Sequence, residues 1–376
     1  FDTDFTPSAS PLNDVKGNWE LVSPKTVGHL SAAAYFFARD LQKKIKIPIG
    51  LITTAYGAST AEAWIRKEAL AQNPIFKPLL DNFETKIVKY DADTTAKSTY
   101  KTALEKWKID AAKAKAQGKD ELRGPKNSDP IRDQHNPYVL WNGMVAPLVP
   151  YAIRGALWYQ GESNSPTASI YRQLMETLIA DWRSQWRIGN FPFIYVQLAN
   201  IGKDVETAPA KGGSEAIKRE AQLQNLSIEN TAMVVAIDNA DPNDMNNVHP
   251  KNKQEIGRRL ALAAEKIAYK QKVVYSGPIY EKMEIMNNKI LLCFKNTDGG
   301  LMAKDSTGLK GFAIAGEDKK FVWATAKIEG NTVIVSNINV VKPIAVRYGW
   351  GSNPPTSLYN KANLPASPFR TDSFDK

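Results

Sequence analysis

The chain has 376 residues, of which 43% are hydrophobic and 23% are charged. These fractions are typical of globular proteins, so they exclude wholesale disorder and collagen-like repeats, and no stretch reaches the roughly 20 apolar residues of a membrane-spanning helix. The net charge of +10 suits acidic ligands in general, and the single cysteine, Cys293, excludes an internal disulfide framework and a cysteine-rich zinc site.

The basic residues do not form the pattern of a nucleic-acid-binding surface. Lysines are densest between residues 86 and 119, where acidic residues alternate with them. Aromatic residues do not alternate with arginines there, as a stacking platform for bases requires. This region is typical of a solvated helix face, and we expect neither a nucleic-acid partner nor a membrane.

In chain order, the first 19 residues are polar and loop-like and contain no readable signal peptide. Residues 31–41 have a helical period. Residues 47–56 are a β-branched apolar run that ends at Gly57. A buried strand followed by a glycine turn and a new helix predicts the βα unit of a parallel sheet.

Residues 71–135 are predicted to form an insertion. Apolar side chains recur at helical spacing in two groups: Phe83, Ile87 and Tyr90, then Tyr100, Leu104 and Trp107. The pattern indicates an amphipathic hairpin of two long helices, and Pro and Gly residues near 125 and 130 close it as a loop. We interpret it as a solvated lid or spacer.

The α/β pattern then resumes. Strands are predicted at 153–160, 191–198 and 233–238, and helices at 170–186, 214–226 and 252–269. This alternation predicts a parallel sheet with helices on both faces. From about Val273 the strands become short and are separated by Gly, Asn and Asp. We therefore predict an α/β domain over residues 1–272 and a β-rich carboxyl-terminal segment over 273–376, packed on it.

Ligands of open α/β sheets bind beyond the carboxyl ends of the strands. The predicted strands end in polar segments there: residues 56–60, 160–164, Asn200 and 238–244, followed by His249. Four aromatic residues near these segments are candidates for stacking on a ligand, although core packing is the commoner fate for at least two: Trp64, Trp141, Trp158 and Tyr159. The sequence therefore places the candidate site at this edge.

His249 is the candidate general base among three histidines. It lies on a loop at the sheet edge, just before a helix that Asn252 could cap, and imidazole titrates near working pH. A lone histidine is more often structural, which is how we interpret His29 and His135. The histidines are not spaced as ligand pairs, so no metal site is predicted.

The residues Gly161-Glu162-Ser163-Asn164 are similar to a Gly-Asp-Ser turn that exposes a nucleophilic serine. Ser163 is therefore one candidate nucleophile, and the alternative is a serine that caps a helix. Gly57 could present a backbone N–H to an oxyanion, and the Gln160 amide could supply a second donor.

Several motifs in order along the chain resemble the sialate O-acetylesterase family, a branch of the SGNH hydrolases. They are Gly-Leu-Ile-Thr-Thr-Ala-Tyr-Gly-Ala-Ser-Thr-Ala-Glu-Ala-Trp at 50–64, Leu-Trp-Asn-Gly-Met-Val-Ala-Pro-Leu-Val-Pro-Tyr at 140–151 and Trp-Tyr-Gln-Gly-Glu-Ser-Asn at 158–164. His-Pro-Lys-Asn-Lys-Gln-Glu-Ile-Gly-Arg-Arg-Leu at 249–260 and Leu-Pro-Ala-Ser-Pro-Phe-Arg-Thr-Asp at 364–372 match as well. The resemblance runs from Ser23 to the end and is loosest over 71–135.

The resemblance implies an SGNH-hydrolase-like, three-layer α/β fold and a serine esterase that removes O-acetyl groups from sialic acids or related sugars without a metal or cofactor. It implies that His249 is the base, that Gly57 and Gln160 donate to the oxyanion, and that Glu162 and Asn164 shape the turn around Gln160. Ser163 would then belong to that turn and would not be the nucleophile. The family's bacterial members are commonly exported, which suggests a periplasmic or secreted protein.

The sequence departs from the family pattern at two places. The family's nucleophile lies in a Gly-Gln-Ser-Asn-Met segment, which these 376 residues do not contain. Either an amino-terminal part that carries the serine is missing and complements this chain, or the protein is a non-catalytic sugar binder. The family's orienting acid lies two or three residues before the histidine, where this chain has Asn247 and Asn246. Asp244 or Asp241 could replace it, or a carbonyl oxygen could orient the histidine, and we favour Asp244.

Overall fold

The computed structural model describes residues 1–120, 122–149, 151–203 and 205–374. Its helices are α1 (Ala32–Ile45), α2 (Lys67–Ala71), α3 (Lys77–Ala92), α4 (Thr94–Ala116), α5 (Tyr171–Trp186), α6 (Ser214–Gln224) and α7 (Lys253–Ile267). The strands that precede α7 are β1 (Ala156–Trp158), β2 (Phe193–Gln197) and β3 (Thr231–Val235). A π-helical turn spans Trp141–Val145.

The three strands form one parallel sheet in the order β1-β2-β3. Leu157 of β1 lies opposite Ile194 of β2, and Tyr195 of β2 lies opposite Met233 of β3. Every residue of β2 is buried, because a central parallel strand is covered on both faces. The predicted parallel sheet is confirmed.

Helices cover both faces of this sheet. α1 and α7 pack on one face, where Leu41 and Leu260 belong to the same core. Gly257 permits their close approach, since a Cβ at that position would lie 2.4 Å from Phe36 Cβ. α5, α6 and the π-helical turn contribute to a second core on the opposite face. Asn252 caps α7 as predicted, and its Oδ1 accepts from the Glu255 amide over 3.2 Å.

Residues 47–56 do not form the predicted strand. Thr53 makes one isolated parallel bridge, to Asp2. The Thr53 amide donates to the Phe1 carbonyl oxygen over 2.8 Å, and its own carbonyl accepts from the Thr3 amide over 3.0 Å. The backbone of this extended segment thus bonds the amino-terminal residues and does not join the sheet. The prediction of a strand was wrong because composition does not reveal which neighbour a backbone will bond.

The predicted insertion contains two helices, α3 and α4, which are separated only by Asp93 and do not pack side by side as the predicted hairpin would. Phe83 of α3 is buried against Tyr138, with ring centroids 5.2 Å apart. α4 buries only Ala114 among its 23 residues. Trp107 Nε1 donates to the Leu122 carbonyl oxygen over 2.9 Å and so holds the returning chain against α4. The insertion is therefore anchored through α3, and most of α4 faces solvent.

The carboxyl-terminal part is antiparallel and β-rich, as predicted. Its strands are β4 (Ile279–Met286), β5 (Lys289–Lys295), β6 (Leu301–Ala303), β7 (Phe312–Gly316), β8 (Phe321–Trp323), β9 (Thr325–Glu329), β10 (Thr332–Ser336), β11 (Pro343–Tyr348), β12 (Leu358–Asn360) and β13 (Phe369–Arg370). They form two four-stranded sheets, β4-β5-β10-β9 and β13-β11-β7-β8, and the pair β12-β6. Leu292 and Val333 of one sheet share a core with Ile314 and Val346 of the other.

Buried polar contacts join the β-rich part to the carboxyl edge of the parallel sheet. The guanidinium of Arg219 on α6 donates to carbonyl oxygens at Leu198 after β2 and at Gly351 after β11. The Asp238 carboxylate after β3 accepts from Arg259 and from the Tyr359 hydroxyl. Among the described residues, no helix has the length and apolar character needed to cross a bilayer.

Candidate active site

Two turns from distant parts of the sequence lie against each other beyond the carboxyl end of β1. The first contains Gly57 and Ser59, and the second contains Gln160 and Asn164. Gln160 Nε2 donates to the Ser59 carbonyl oxygen over 2.8 Å, and the Ala61 amide donates to Asn164 Oδ1 over 2.9 Å. The structure therefore brings the segments of Gly57, Gln160 and Asn164 together.

Asn164 is fully buried, and the protein uses all of its side-chain hydrogen-bonding groups. Nδ2 donates to Glu62 Oε2 over 2.8 Å and to Thr167 Oγ1 over 2.9 Å. Oδ1 accepts from the Ala61 amide and from Gln160 Nε2. Because its donors and its acceptor are all engaged, Asn164 joins the two turns and has no group left for a substrate.

The side-chain amide of Gln160 is also fully engaged. Its two hydrogens point to the Ser59 carbonyl oxygen at 2.8 Å and to Asn164 Oδ1 at 2.7 Å. The Tyr171 hydroxyl lies 3.1 Å from Gln160 Oε1 and 2.9 Å from the Gln160 carbonyl oxygen, and it donates to one of them at a time. In this arrangement Gln160 braces the turn that carries Gly57. To donate to an oxyanion, its amide would have to release one of its present acceptors.

Gly57 presents an unobstructed backbone donor. The residue is exposed, and no atom lies within 4 Å of the position that a Cβ would occupy. Its carbonyl oxygen accepts from Gln134 Nε2 over 3.3 Å, whereas its N–H has no hydrogen-bond partner among the described residues. An N–H that no protein group occupies is available to stabilise a developing oxyanion.

His249 lies on the loop between β3 and α7 and is exposed. Its backbone amide donates to Asn247 Oδ1 over 2.9 Å, and Asn247 Nδ2 donates to Asp244 Oδ2 over 3.0 Å. Across the described part of the chain, no hydrogen bond or ion pair involves the His249 ring. Asp244 therefore reaches His249 through Asn247 and the backbone. The structure shows no bond from Asp244 to the imidazole.

Glu162 is coupled electrostatically to His249. Burial raises the pKa of the Glu162 carboxyl, and the positive charges of Lys218 and His249 oppose this rise. Lys218 is fully buried, and its Nζ donates to the Glu162 carbonyl oxygen over 3.1 Å and lies 3.0 Å from Glu215 Oε1. The second turn thus carries a buried carboxyl group that lies close enough to His249 to interact with it electrostatically.

The remaining candidates have different environments. Trp64, Trp141 and Trp158 are only 3%, 2% and 6% exposed, so they belong to the core and offer no face to a sugar. Tyr159 is half-buried. Ser163 is half-buried in the second turn, between Glu162 and Asn164.

The sequence did not identify the residues that support the two turns: Tyr171, Lys218 and Gln134. One signal for Lys218 is readable, because Glu215 precedes it by three residues and such pairs interact on a helix. Its complete burial beneath the second turn is a tertiary property that spacing does not reveal. Tyr171 has the helical spacing of a core residue of α5. The sequence therefore gives no sign that its hydroxyl bonds Gln160.

Known proteins share this arrangement of elements. A family model described as carbohydrate esterase, sialic acid-specific acetylesterase, matches residues 139–266. Human sialate O-acetylesterase is 27% identical over 382 residues, which cover 93% of this chain, and the rat protein is 26% identical over 415 residues, which cover 98%. The crystal structure of a carbohydrate acetylesterase from Xanthomonas citri has a TM-score of 0.79 and 31% identity, and the match covers 100% of this chain and 73% of that one. The chain belongs to the sialate O-acetylesterase family.

The site lies within the regions shared with the sialate O-acetylesterase family. The family-model match over residues 139–266 includes Gln160, Glu162, Asn164 and His249. Gly57 lies outside that range but inside the structural match, which extends over the whole chain. The chain spans 63% of the length of the human relative and 70% of that of the rat relative.

Proposed function

We propose that this member of the sialate O-acetylesterase family hydrolyses O-acetyl esters of sialic acid or a related sugar by a serine–histidine mechanism. The observation that carries the proposal is the exposed imidazole of His249, which has no partner of its own within the described residues and is coupled to Glu162 on the turn that braces Gly57. The comparisons support the acetylesterase class, and the identity of the sugar is our inference.

In the proposed reaction, a serine Oγ attacks the acetyl carbonyl carbon while His249 accepts the serine proton. The Gly57 N–H donates to the oxyanion that forms. The C–O bond to the sugar then breaks, and the departing sugar oxygen takes the proton from His249. Water attacks the acetyl-serine and gives its proton to His249, and the serine–acyl bond breaks to release acetate. The serine regains its proton from the imidazole.

We propose Glu162 as the carboxyl group that supports the protonated imidazole, with Asp244 as the alternative. Glu162 interacts with the charge of His249, whereas the Asp244 carboxylate accepts from the Asn247 side chain. A carboxylate close to the imidazolium stabilises the charge that appears during serine attack. The neighbouring Lys218, paired with Glu215, helps Glu162 to ionise despite its burial.

For the nucleophile, we propose a serine in a Gly-Gln-Ser-Asn-Met segment supplied from outside these 376 residues, as the family pattern implies. The second candidate function is non-catalytic binding of an acetylated sugar, which is favoured by the engagement of the Gln160 and Asn164 amides within the protein. Ser163 is the alternative nucleophile within the chain.

One experiment separates these readings. Acetate release from p-nitrophenyl acetate and from an O-acetylated sialic acid is measured for the chain alone and for the chain extended by an amino-terminal family segment that contains Gly-Gln-Ser-Asn-Met. The matched control is the same extension with its serine replaced by alanine. We expect hydrolysis only from the extension that retains its serine.

The other outcomes are equally informative. Hydrolysis by the chain alone that Ser163→Ala abolishes assigns the nucleophile to Ser163. If no form hydrolyses either substrate but the chain binds the acetylated sugar, the esterase proposal is wrong and sugar binding is the function.

A further inference from the structure

Lys253, the first residue of α7, carries an ammonium group with little bonding inside the protein. The residue is half-buried, and its Nζ lies 4.8 Å from the centroid of the Tyr159 ring and 3.4 Å from the Tyr159 hydroxyl oxygen. Within the described ranges, no carboxylate oxygen lies within 4.0 Å of the Lys253 Nζ. An ammonium has three donors, so most of its capacity is unused.

Two other lysines of this region, Lys218 and Lys251, form ion pairs with carboxylates. Lys218 is fully buried and lies 3.0 Å from Glu215 Oε1, with further bonds to the Glu162 carbonyl oxygen and Ser165. Lys251, two residues before Lys253, lies 2.9 Å from Asp241 Oδ2. Removing a charge from water costs free energy unless a partner compensates. Lys253 is partly removed from water but forms no ion pair with any carboxylate that the structure describes. Burial therefore lowers its pKa.

Lys253 also lies next to the candidate site. Tyr159, on which its ammonium rests, directly precedes Gln160, and His249 is four residues before Lys253. The negative charge of Glu162 acts on Lys253 and raises its pKa against the effect of burial. The amino-terminal end of α7 adds a positive potential, so a cation at this position is favourable only when an anion is near.

We propose that Lys253 binds the carboxylate of an acidic sugar and thereby selects O-acetylated sialic acids over neutral acetylated sugars. This inference rests on the proposed function and names the substrate class of the same site. The Tyr159 hydroxyl accepts from Lys253 and retains its own hydrogen for the same carboxylate. Burial and the charge of Glu162 both raise the pKa of Tyr159, which keeps that hydroxyl protonated. A neutral sugar would leave the ammonium with only the more distant charge of Glu162.

The kinetic test uses two substrates that differ in one group: an O-acetylated N-acetylneuraminic acid and its carboxamide. We expect the active protein to prefer the acid by about tenfold or more in kcat/KM, since hydrogen bonds to charged groups are worth that much. Lys253→Met is expected to remove the preference by raising KM for the acid alone, and Lys253→Arg to retain most of it. Lys266→Met, an equal loss of charge at the exposed far end of α7, is expected to leave both substrates within about twofold.

A binding measurement separates this inference from the esterase proposal. Calorimetry of the 376-residue chain with N-acetylneuraminic acid and with its carboxamide requires no turnover. Tighter binding of the acid that Lys253→Met abolishes supports the assignment even if no form releases acetate, in which case only the esterase proposal fails. Equal binding of acid and carboxamide, or equal losses for both in Lys253→Met, overturns the assignment even if the protein hydrolyses esters.

Discussion

The side-chain nitrogen of Gln160 lies 2.8 Å from the carbonyl oxygen of Ser59, 101 positions away in sequence. With its second hydrogen directed to Asn164, the Gln160 amide supports the Gly57 turn and has no donor to spare. In the proposed reaction, the oxyanion role of this turn therefore falls first on the Gly57 N–H. It also depends on the buried groups that hold the turn in place.

The first prediction concerns Asn164, the centre of that support. Asn164→Ala would leave Glu62, Gln160 and the Ala61 amide without their partner in a buried environment. Each unsatisfied buried group costs about 1–3 kcal/mol, so we expect the free energy of unfolding to fall by about 3 kcal/mol or more. Urea unfolding measures the change. The exposed Asn331→Ala serves as control and should change stability by less than about 0.5 kcal/mol; a comparable effect of both substitutions would contradict the prediction.

The second prediction concerns His249. In a form of the protein that hydrolyses acetyl esters, His249→Gln should lower kcat by about 10²–10⁴-fold, the typical contribution of a general base. The free energy of unfolding should stay within about 0.5 kcal/mol, because the residue is exposed and, in the described structure, its ring bonds to nothing. Acetate release and urea unfolding are measured on the same samples. A large loss of stability would show that His249 is structural.

The third prediction compares the two candidate acids. Glu162→Gln should lower kcat by at least about tenfold, because it removes the charge that is coupled to His249. Asp244→Asn should have a smaller effect, because the Asp244 carboxylate bonds Asn247 and the new amide oxygen can still accept that bond. Steady-state kinetics of the two isosteric variants under identical conditions decide between them. A larger loss in Asp244→Asn would assign the orienting role to Asp244.

The fourth prediction concerns the pH dependence of stability through Glu62. This carboxyl is buried, and burial raises its pKa in the folded protein above the unfolded value of about 4.3. The native state thus holds the proton more tightly, so the stabilisation is fully present below about pH 4 and is lost as the pH rises through the raised pKa. Glu62→Gln removes this loss. Its free energy of unfolding should increase relative to wild type between about pH 4 and pH 8, as measured by urea titration at several pH values, and parallel curves would refute the argument.

The fifth prediction concerns the contact between α1 and α7. Gly257→Ala places a Cβ 2.4 Å from Phe36 Cβ and 2.6 Å from the Phe37 nitrogen, so the helices must separate. Overpacking of this kind costs about 1–3 kcal/mol, which should exceed the gain in helix propensity. The control is Gly28→Ala, where no atom lies within 4 Å of the added carbon. Thermal unfolding of both variants tests the prediction, which fails if Gly257→Ala is as stable as wild type.

The sequence predicted the elements whose signals are local. The periodic apolar residues of α5 and α7 and the apolar runs of β2 and β3 identified the parallel sheet and its helices, because side-chain period follows directly from backbone geometry. The apolar run at 47–56, in contrast, was predicted as a strand of the sheet and does not form one. Its composition suits a strand, but whether it joins a sheet depends on which backbone lies beside it, and Phe1 and Thr3 occupy that place.

The sequence suggested which residues form a candidate site, but it did not reveal how those residues bond. Polar residues at the ends of predicted parallel strands pointed to Gln160 and His249, since the carboxyl ends of such strands share one edge. The same reasoning was applied to Gly57, but the segment before it does not join the sheet. Hydrogen-bond saturation of Gln160 and the burial of Lys218 beneath Glu162 depend on contacts between segments far apart in sequence. Spacing along the chain contains no information about such contacts.

The exposure of α4 has a practical consequence for handling this protein. Since only Ala114 among its 23 residues is buried, α4 contributes little to the cores. Fluorescent labels or affinity tags attached along the outer side of α4 should therefore leave the parallel sheet undisturbed. The helix is a convenient place to immobilise the molecule for surface-based assays.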